Sequence, residues 1–275
     1  MILSIGWYKN EWLDIDKIFI SANDRSLKFG DGIFETILIK HNKPILFDEH
    51  IKRLDKSSKF LKFNYEIDTL ILKRLIDEGI ARLSLKNDQF GSVRINYSRG
   101  TNRDRSLNLN STIKTKSIDN LWLEFYQIKP NFSPLNVFIS QTEKRNEFSL
   151  LSKCKTFSYN QAIQVLSEAR QKSYDDSILL NTSGELCCGS TFNLLIKRNQ
   201  QWITPRKESG CLDGIMVNKA LKSKIAREEL IFPKFQHDDI IVAINSLSCR
   251  QINKVNDLNL RSDFDPLYFW DLLYS

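Results

Sequence analysis

No apolar run in the chain approaches the roughly 20 residues a helix needs to cross a bilayer, and Gly and Pro are sparse, 10 and 6 in 275 residues. The first absence excludes a helical membrane protein. The second, with 41% hydrophobic and 11% aromatic residues, excludes a disordered or low-complexity chain. The opening segment MILSIGWYKNEWLD lacks the basic and sustained apolar regions of a secretory signal, so a cytoplasmic protein is expected. Five Cys (154, 187, 188, 211 and 249), an odd number, argue against a disulfide framework and read as thiols. With three His (41, 50 and 237) and no HExxH or paired CxxC, metal chemistry lacks ligands. GxSxG, GxGxxG and GxxxxGK[ST] are missing too, which removes the serine-hydrolase and nucleotide phosphate-loop readings. The net charge of +7 is spread along the chain, and its densest cluster, Arg99 to Arg105, is not interleaved with aromatics, so nucleic-acid binding is not expected.

The residues present predict an α/β chain of two domains. IFETILIKHNKPILF (33–47) alternates apolar and polar residues about HNKP, the pattern of a tight hairpin. Ile51, Leu54, Phe60 and Leu61 then recur at helical spacing, with Asp48 as the expected N-cap. A second amphipathic helix is expected over 67–86, then a strand in FGSVRINYSRG, a polar loop over 101–120 and a strand in LWLEFYQIK. KPNFSPLN, with two prolines, reads as a linker, which puts a smaller α/β domain at 1–130 and a larger one at 131–275. The second half reads as strand NVFISQT, helix 158–173, strand 176–181, a turn at 182–184, strand 186–197, helix 214–229 and strand 238–244.

Lys155 stands directly before an amphipathic helix, where burial would destabilise its ammonium and leave a neutral amine for Schiff-base chemistry. Around it, LSKCKTFSYNQAIQ, DDSILLNTSGELCCGSTFNLLI and CLDGIM, in that order, resemble the second half of the class IV aminotransferases. DRSLKFGDGIFETILI and FDEHIKRL resemble the family's opening strand and helix. The resemblance covers about residues 20 to 255. It implies a two-domain fold type IV enzyme, with pyridoxal 5'-phosphate between the domains and Lys155, rather than nearby Lys153, as the attachment point. It also implies that Arg53 binds the phosphate through its guanidinium fork, together with the main chain at Ile215 and Met216 and the hydroxyl of Ser246. A homodimer that takes a small-molecule substrate follows from the same resemblance.

The sequence departs from the family at one place. Where relatives carry a Glu five residues before the Asn of NLL, whose carboxylate keeps the pyridine nitrogen protonated, this chain has Cys188 before Asn193. Glu185 lies three residues further upstream, on the opposite face of a regular strand, and could replace it only across a bulge. FGDGIFET, GIM and the NSL of 245–247 look more like 4-amino-4-deoxychorismate lyases, which form p-aminobenzoate and pyruvate, than like branched-chain aminotransferases. Formation of the aromatic ring drives that lyase step, so it asks less of the electron sink. An aminotransferase for branched-chain or D-amino acids, or a cofactor-free binding protein that kept the fold, are the alternatives. For the substrate's carboxylates the candidates are Arg103 and Arg105; Thr36, which alternates with Glu35 on the strand, is a candidate substrate contact.

Overall fold

The computed structural model describes residues 3–63, 68–101, 106–109 and 121–274. They form two compact units, Met1–Lys129 with Cys154–Ser158, and Pro130–Lys153 with Tyr159–Ser275.

Unit 1 is a six-stranded sheet covered on one face by helices. Its strands are β1 (Ser4–Tyr8), β2 (Glu11–Leu13), β3 (Gly32–Lys40), β4 (Lys43–Pro44), β5 (Phe90–Ser98) and β6 (Leu121–Ile128), in the order β2-β1-β6-β5-β3-β4. β3 and β4 are the expected hairpin, and both turn residues, His41 and Asn42, have positive φ, which suits the right-handed twist of the strands. A short helix α1 (Arg25–Phe29) precedes β3, while α2 (Phe47–Phe60) and α3 (Thr69–Leu83) lie between β4 and β5. Ile37, Ile39, Val93, Ile95, Leu123 and Phe125 point from one sheet face into Ile51 and Leu54 of α2 and Leu72, Ile76 and Ile80 of α3. Each such side chain contributes about 1.5–3 kcal/mol when fully buried. The helix approaches closely at Gly79, where an added Cβ would fall 2.2 Å from the Phe125 ring. Asp68 caps α3 by accepting from the N–H groups of Leu70 and Ile71. Asp48 does not cap α2; the helix starts from Leu46 at φ 52°, and Asp48 and Glu49 sit in its first turn, favourably placed for the helix dipole.

Unit 2 is built on a nine-stranded sheet. Its strands are β7 (Leu135–Ile139), β8 (Asp176–Leu180), β9 (Leu186–Gly189), β10 (Asn193–Arg198), β11 (Gln201–Pro205), β12 (Ala226–Glu229), β13 (Ile240–Asn245), β14 (Ser248–Val255) and β15 (Leu258–Asn259). The order is β12-β11-β10-β13-β14-β7-β8-β9, with β15 on β14, and β9 curls back against β10. Helices α4 (Asn160–Gln171), α5 (Ile215–Lys222) and α6 (Pro266–Tyr274) complete the unit.

Three further expectations are corrected. The single strand 186–197 is two, because the chain turns at Ser190–Phe192 and the Gly189 N–H bonds the Phe192 carbonyl. The helix 214–229 ends at Lys222; Lys224 takes a positive φ and the chain continues as β12, parallel to β11. The domain division is also finer than a single cut near 130. Cys154–Ser158 packs with unit 1, because the Phe34 N–H donates to the Lys155 carbonyl and the Phe157 N–H to that of Gly32, adding a strand-like bridge to β3.

Candidate active site

That bridge puts Lys155 at the edge of β3. Its Nζ lies 4.1 Å from the centre of the Phe34 ring, whose other close neighbour is the Arg94 guanidinium at 3.7 Å. Desolvation, then the charges of Arg53 and Arg94, pull the Lys155 amine down from 10.5 to about 7, against the opposing pull of Glu35. A neutral nucleophilic amine is therefore available near neutral pH. Lys153 ends a 3-10 turn, Leu150–Lys153, with its side chain exposed.

Arg53 is fixed from behind. β3 alternation sends Glu35 to the helical face, where its carboxylate takes both Nε and Nη2 of Arg53 at 2.7 Å and Nδ1 of His50 at 2.7 Å. His50 and Arg53 are three residues apart on α2, so one helix face meets one carboxylate. Burial pushes the Glu35 carboxyl up, but Arg53 and His50 hold it at about 2. Burial, opposed by Glu35, lowers His50 below its usual value, so a neutral imidazole donates from Nδ1 to the carboxylate. Glu35 and His50 were not legible as site-forming residues. The available signal was the pairing of an inward-facing acid on a strand with HxxR on the next helix. Thr36 points to the other face, opposite Arg94 in register and on the same side as Phe34. Arg103 and Arg105 fall outside the described residues.

The remaining candidates belong to unit 2. Gly214 is the N-cap of α5, with no side-chain cap, so the N–H groups at Ile215 and Met216 open a helix N-terminus suited to an anion. An added Cβ at Gly214 would meet Asn193 Oδ1 at 1.9 Å. Asn193 pairs in register with Ile244, two residues before Ser246, so the α5 N-terminus and the turn after β13 share one end of the sheet. Tyr274 secures that turn by donating to the Ser246 carbonyl at 3.1 Å.

Cys188 is buried in a cluster with Val165, Leu179, Cys187 and Cys211. Cys187 Sγ donates to Cys188 Sγ at 3.7 Å, and that bond, with the charge of Arg145, lowers the Cys188 thiol despite burial. The bulge that Glu185 would need does exist: Leu179 pairs with Cys188 but Leu180 pairs with Leu186, leaving Cys187 over. Glu185 is nonetheless engaged elsewhere, accepting from Arg206 at 2.7 Å, Ser209 at 2.6 Å and Asn181 at 3.2 Å. No group of three His, Cys, Asp or Glu among the described residues could hold a metal ion, and no described helix is long and apolar enough to cross a membrane.

Residues 32–255 match the amino-transferase class IV family. The aminodeoxychorismate lyase of Bacillus subtilis is 24% identical over 71% of this chain, and the match spans 65% of that lyase. A candidate branched-chain-amino-acid aminotransferase of Aquifex aeolicus is likewise 24% identical, over 83% of this chain and 74% of the relative. Among solved structures, the branched-chain aminotransferase of Thermoproteus uzoniensis superposes with a TM-score of 0.80 at 18% identity, covering 98% of this chain and 93% of that one. A candidate 4-amino-4-deoxychorismate lyase of Legionella pneumophila gives 0.76 at 22%, covering 94% and 96%.

Proposed function

The chain belongs to the class IV aminotransferases, pyridoxal-phosphate-dependent enzymes, and within that family we propose that it is a lyase converting 4-amino-4-deoxychorismate to p-aminobenzoate and pyruvate. The residues suit the cofactor. Lys155 offers a desolvated amine, Arg53 a guanidinium held in one orientation, and α5 an N-terminus whose N-cap has no Cβ. In this reading Lys155 attaches the cofactor, while Arg53, the main chain at Ile215 and Met216, and Ser246 hold its phosphate. Bound there, pyridoxal phosphate supplies a ring that withdraws electrons from the substrate's amine-bearing carbon.

The observation that carries the lyase reading is Cys188, a buried thiol at the position where the family has a glutamate to protonate the ring nitrogen. A sulfur hydrogen bond is weak, so the ring withdraws electrons less strongly than in an aminotransferase. A reaction whose product is aromatic tolerates that loss best. Once the substrate's own amine has displaced it from the cofactor, Lys155 Nζ, lowered to about 7, would take the proton from the amine-bearing ring carbon and return it to the departing pyruvyl group.

The test is to load the protein with pyridoxal phosphate, record its absorbance, add 4-amino-4-deoxychorismate and assay both products. A lysine-bound cofactor band with p-aminobenzoate and pyruvate in equal amounts is the expected result. A band that disappears instead on addition of branched-chain or D-amino acids, with oxo acid formed and neither lyase product, makes the chain an aminotransferase. Absence of any band would mean that the chain keeps the fold without its cofactor.

A further inference from the structure

Two of the chain's buried thiols, Cys187 and Cys188, are neighbours in sequence. In a regular strand consecutive side chains leave opposite faces, which would hold two adjacent sulfurs well apart. β9 is not regular at that point. The bulge opposite Leu179 and Leu180 leaves Cys187 out of the ladder register, and a bulge re-aims the side chain it carries. The two sulfurs consequently meet, 3.7 Å apart, with Cys187 as the donor. Cys211 pins the same spot, its thiol donating to the Cys187 carbonyl at 2.9 Å.

The surroundings divide the work between the two sulfurs. Cys188 is 8% exposed and Cys187 0%. The hydrogen bond from Cys187, and then the Arg145 guanidinium, lower the Cys188 thiol against burial and the charge of Asp176. Arg145 is itself held, donating to Gln161 Oε1 at 3.1 Å and to the Ser152 carbonyl at 3.0 Å. The contact with Cys188, and one with Cys211, push the Cys187 thiol up. Burial also raises Cys154, and it raises Cys249 to about 12. Because the thiolate and not the thiol is the nucleophile, Cys188 combines the acidity, the residual exposure and the second sulfur that a reversible oxidation needs.

We propose that Cys187 and Cys188 form a modification site for peroxides, in which Cys188 is the sulfur that reacts and Cys187 the sulfur that captures it. The Cys188 thiolate attacks one oxygen of hydrogen peroxide and the O–O bond breaks. The other oxygen leaves as water with the proton the thiol had lost, and Cys188 becomes a sulfenic acid. The Cys187 sulfur then bonds to the Cys188 sulfur, its proton goes to the leaving hydroxyl, and a second water departs. Two thiols are thus oxidised to one disulfide while one peroxide is reduced to two waters. The ring so formed closes through a single peptide bond, whose Cα atoms lie about 3.8 Å apart, short of the roughly 4.4 Å at which ordinary disulfides begin. That strain makes the bond easily reduced by other thiols, a reversible mark and not a structural bridge. Its effect on the cofactor rests on the reading that places Cys188 at the ring nitrogen; the oxidation does not.

The test treats the full chain with hydrogen peroxide, alkylates the remaining thiols under denaturing conditions and maps the cysteine peptides by mass spectrometry. The peptide carrying Cys187 and Cys188 should lose two hydrogens and escape alkylation, at least about tenfold faster than Cys154 or Cys249 is modified. Dithiothreitol should restore both thiols. Cys187→Ala loses the capturing sulfur and its hydrogen bond, so Cys188 should react more slowly and stop at a sulfenic acid that dimedone labels. In Cys188→Ala, Cys187 should stay a thiol at the same dose. A pair that remains reduced while Cys154 or Cys249 is oxidised, or a bond from Cys187 to Cys211 instead, overturns the proposal. So does Cys187→Ala without a dimedone adduct at Cys188. Pyridoxal phosphate bound beforehand should slow formation of the disulfide several-fold. A disulfide that forms equally fast with and without the cofactor would remove Cys188 from the ring nitrogen while upholding the modification site.

Discussion

Lys155 owes its reactivity to what surrounds it. Desolvation, Arg53 and Arg94 bring its amine to about 7, so below that pH the folded protein holds an ammonium that cannot attack an aldehyde. The rate of cofactor attachment, followed by absorbance, should fall about tenfold per unit as pH drops below 7; a midpoint near 10 would mean that the amine is solvated. Lys155→Ala should leave no borohydride-reducible cofactor on the chain, and a peptide labelled elsewhere would refute the assignment. Lys155 stood out as a candidate in the sequence because a lysine ahead of TFSYNQA and an amphipathic helix is a local pattern. The neighbours that tune it were not. Strand alternation established only that Glu35 and Thr36 face apart. Which of the two meets His50 and Arg53 depends on which sheet face α2 covers, a tertiary fact, and Arg94 reaches Phe34 only through the β3–β5 pairing. Glu35→Gln removes the countercharge from a buried guanidinium, a loss of about 3–5 kcal/mol. Denaturant unfolding should show it, and a change below about 1 kcal/mol would mean that water reaches the pair. The same carboxyl, depressed from 4.5 to about 2, contributes stability that is complete above the ordinary carboxylate range and lost as pH falls from 4.5 towards 2. Glu35→Gln should flatten that limb of the acid-unfolding curve.

At the scale of elements, the site depends on where strands and helices stop. Residues 186–197 and 214–229 read as one strand and one helix because apolar residues stand on both sides of Gly189–Thr191 and of Lys222–Lys224, and polar stretches that short pass as part of one element. Ser190–Phe192 interrupts the first and a positive φ at Lys224 ends the second. Both breaks shape the candidate site. The first leaves Cys188 at the end of β9 and Asn193 at the start of β10; the second leaves α5 only eight residues long, with its N-terminus against Asn193. The Gly before the helix was legible, but the reason for it was not: there is no positive φ at Gly214, which has φ −69°, only the Asn193 side chain where a Cβ would stand. Gly214→Ala should therefore displace the helix start and weaken pyridoxal phosphate binding by about tenfold, roughly 1.4 kcal/mol, measured by equilibrium dialysis. Far-UV circular dichroism should stay unchanged. Wild-type affinity in that variant would show that the α5 N-terminus does not carry the phosphate.

At the scale of the whole molecule, a linker with two prolines near residue 130 was readable, but the return of Cys154–Ser158 to unit 1 was not, because a five-residue segment bonded to a strand more than a hundred residues away leaves no local signature. The surface carries a further consequence. Single exposed apolar side chains are ordinary, yet Phe148, Leu150 and Leu151 stand 85%, 55% and 57% exposed within four residues of unit 2. A run of three such side chains, unlike a single one, is the kind of patch that marks an interaction surface. A second copy of the chain is the expected cover, in line with the homodimer that the family resemblance implies. Light scattering should give twice the chain mass, and thermal stability should rise with protein concentration, since association stabilises only the folded form. Phe148→Ser/Leu151→Gln should shift the mass towards one chain and remove the concentration dependence. If that variant keeps both the doubled mass and the concentration dependence, the dimer forms through another surface; a wild type of single-chain mass at every concentration would leave no dimer to explain.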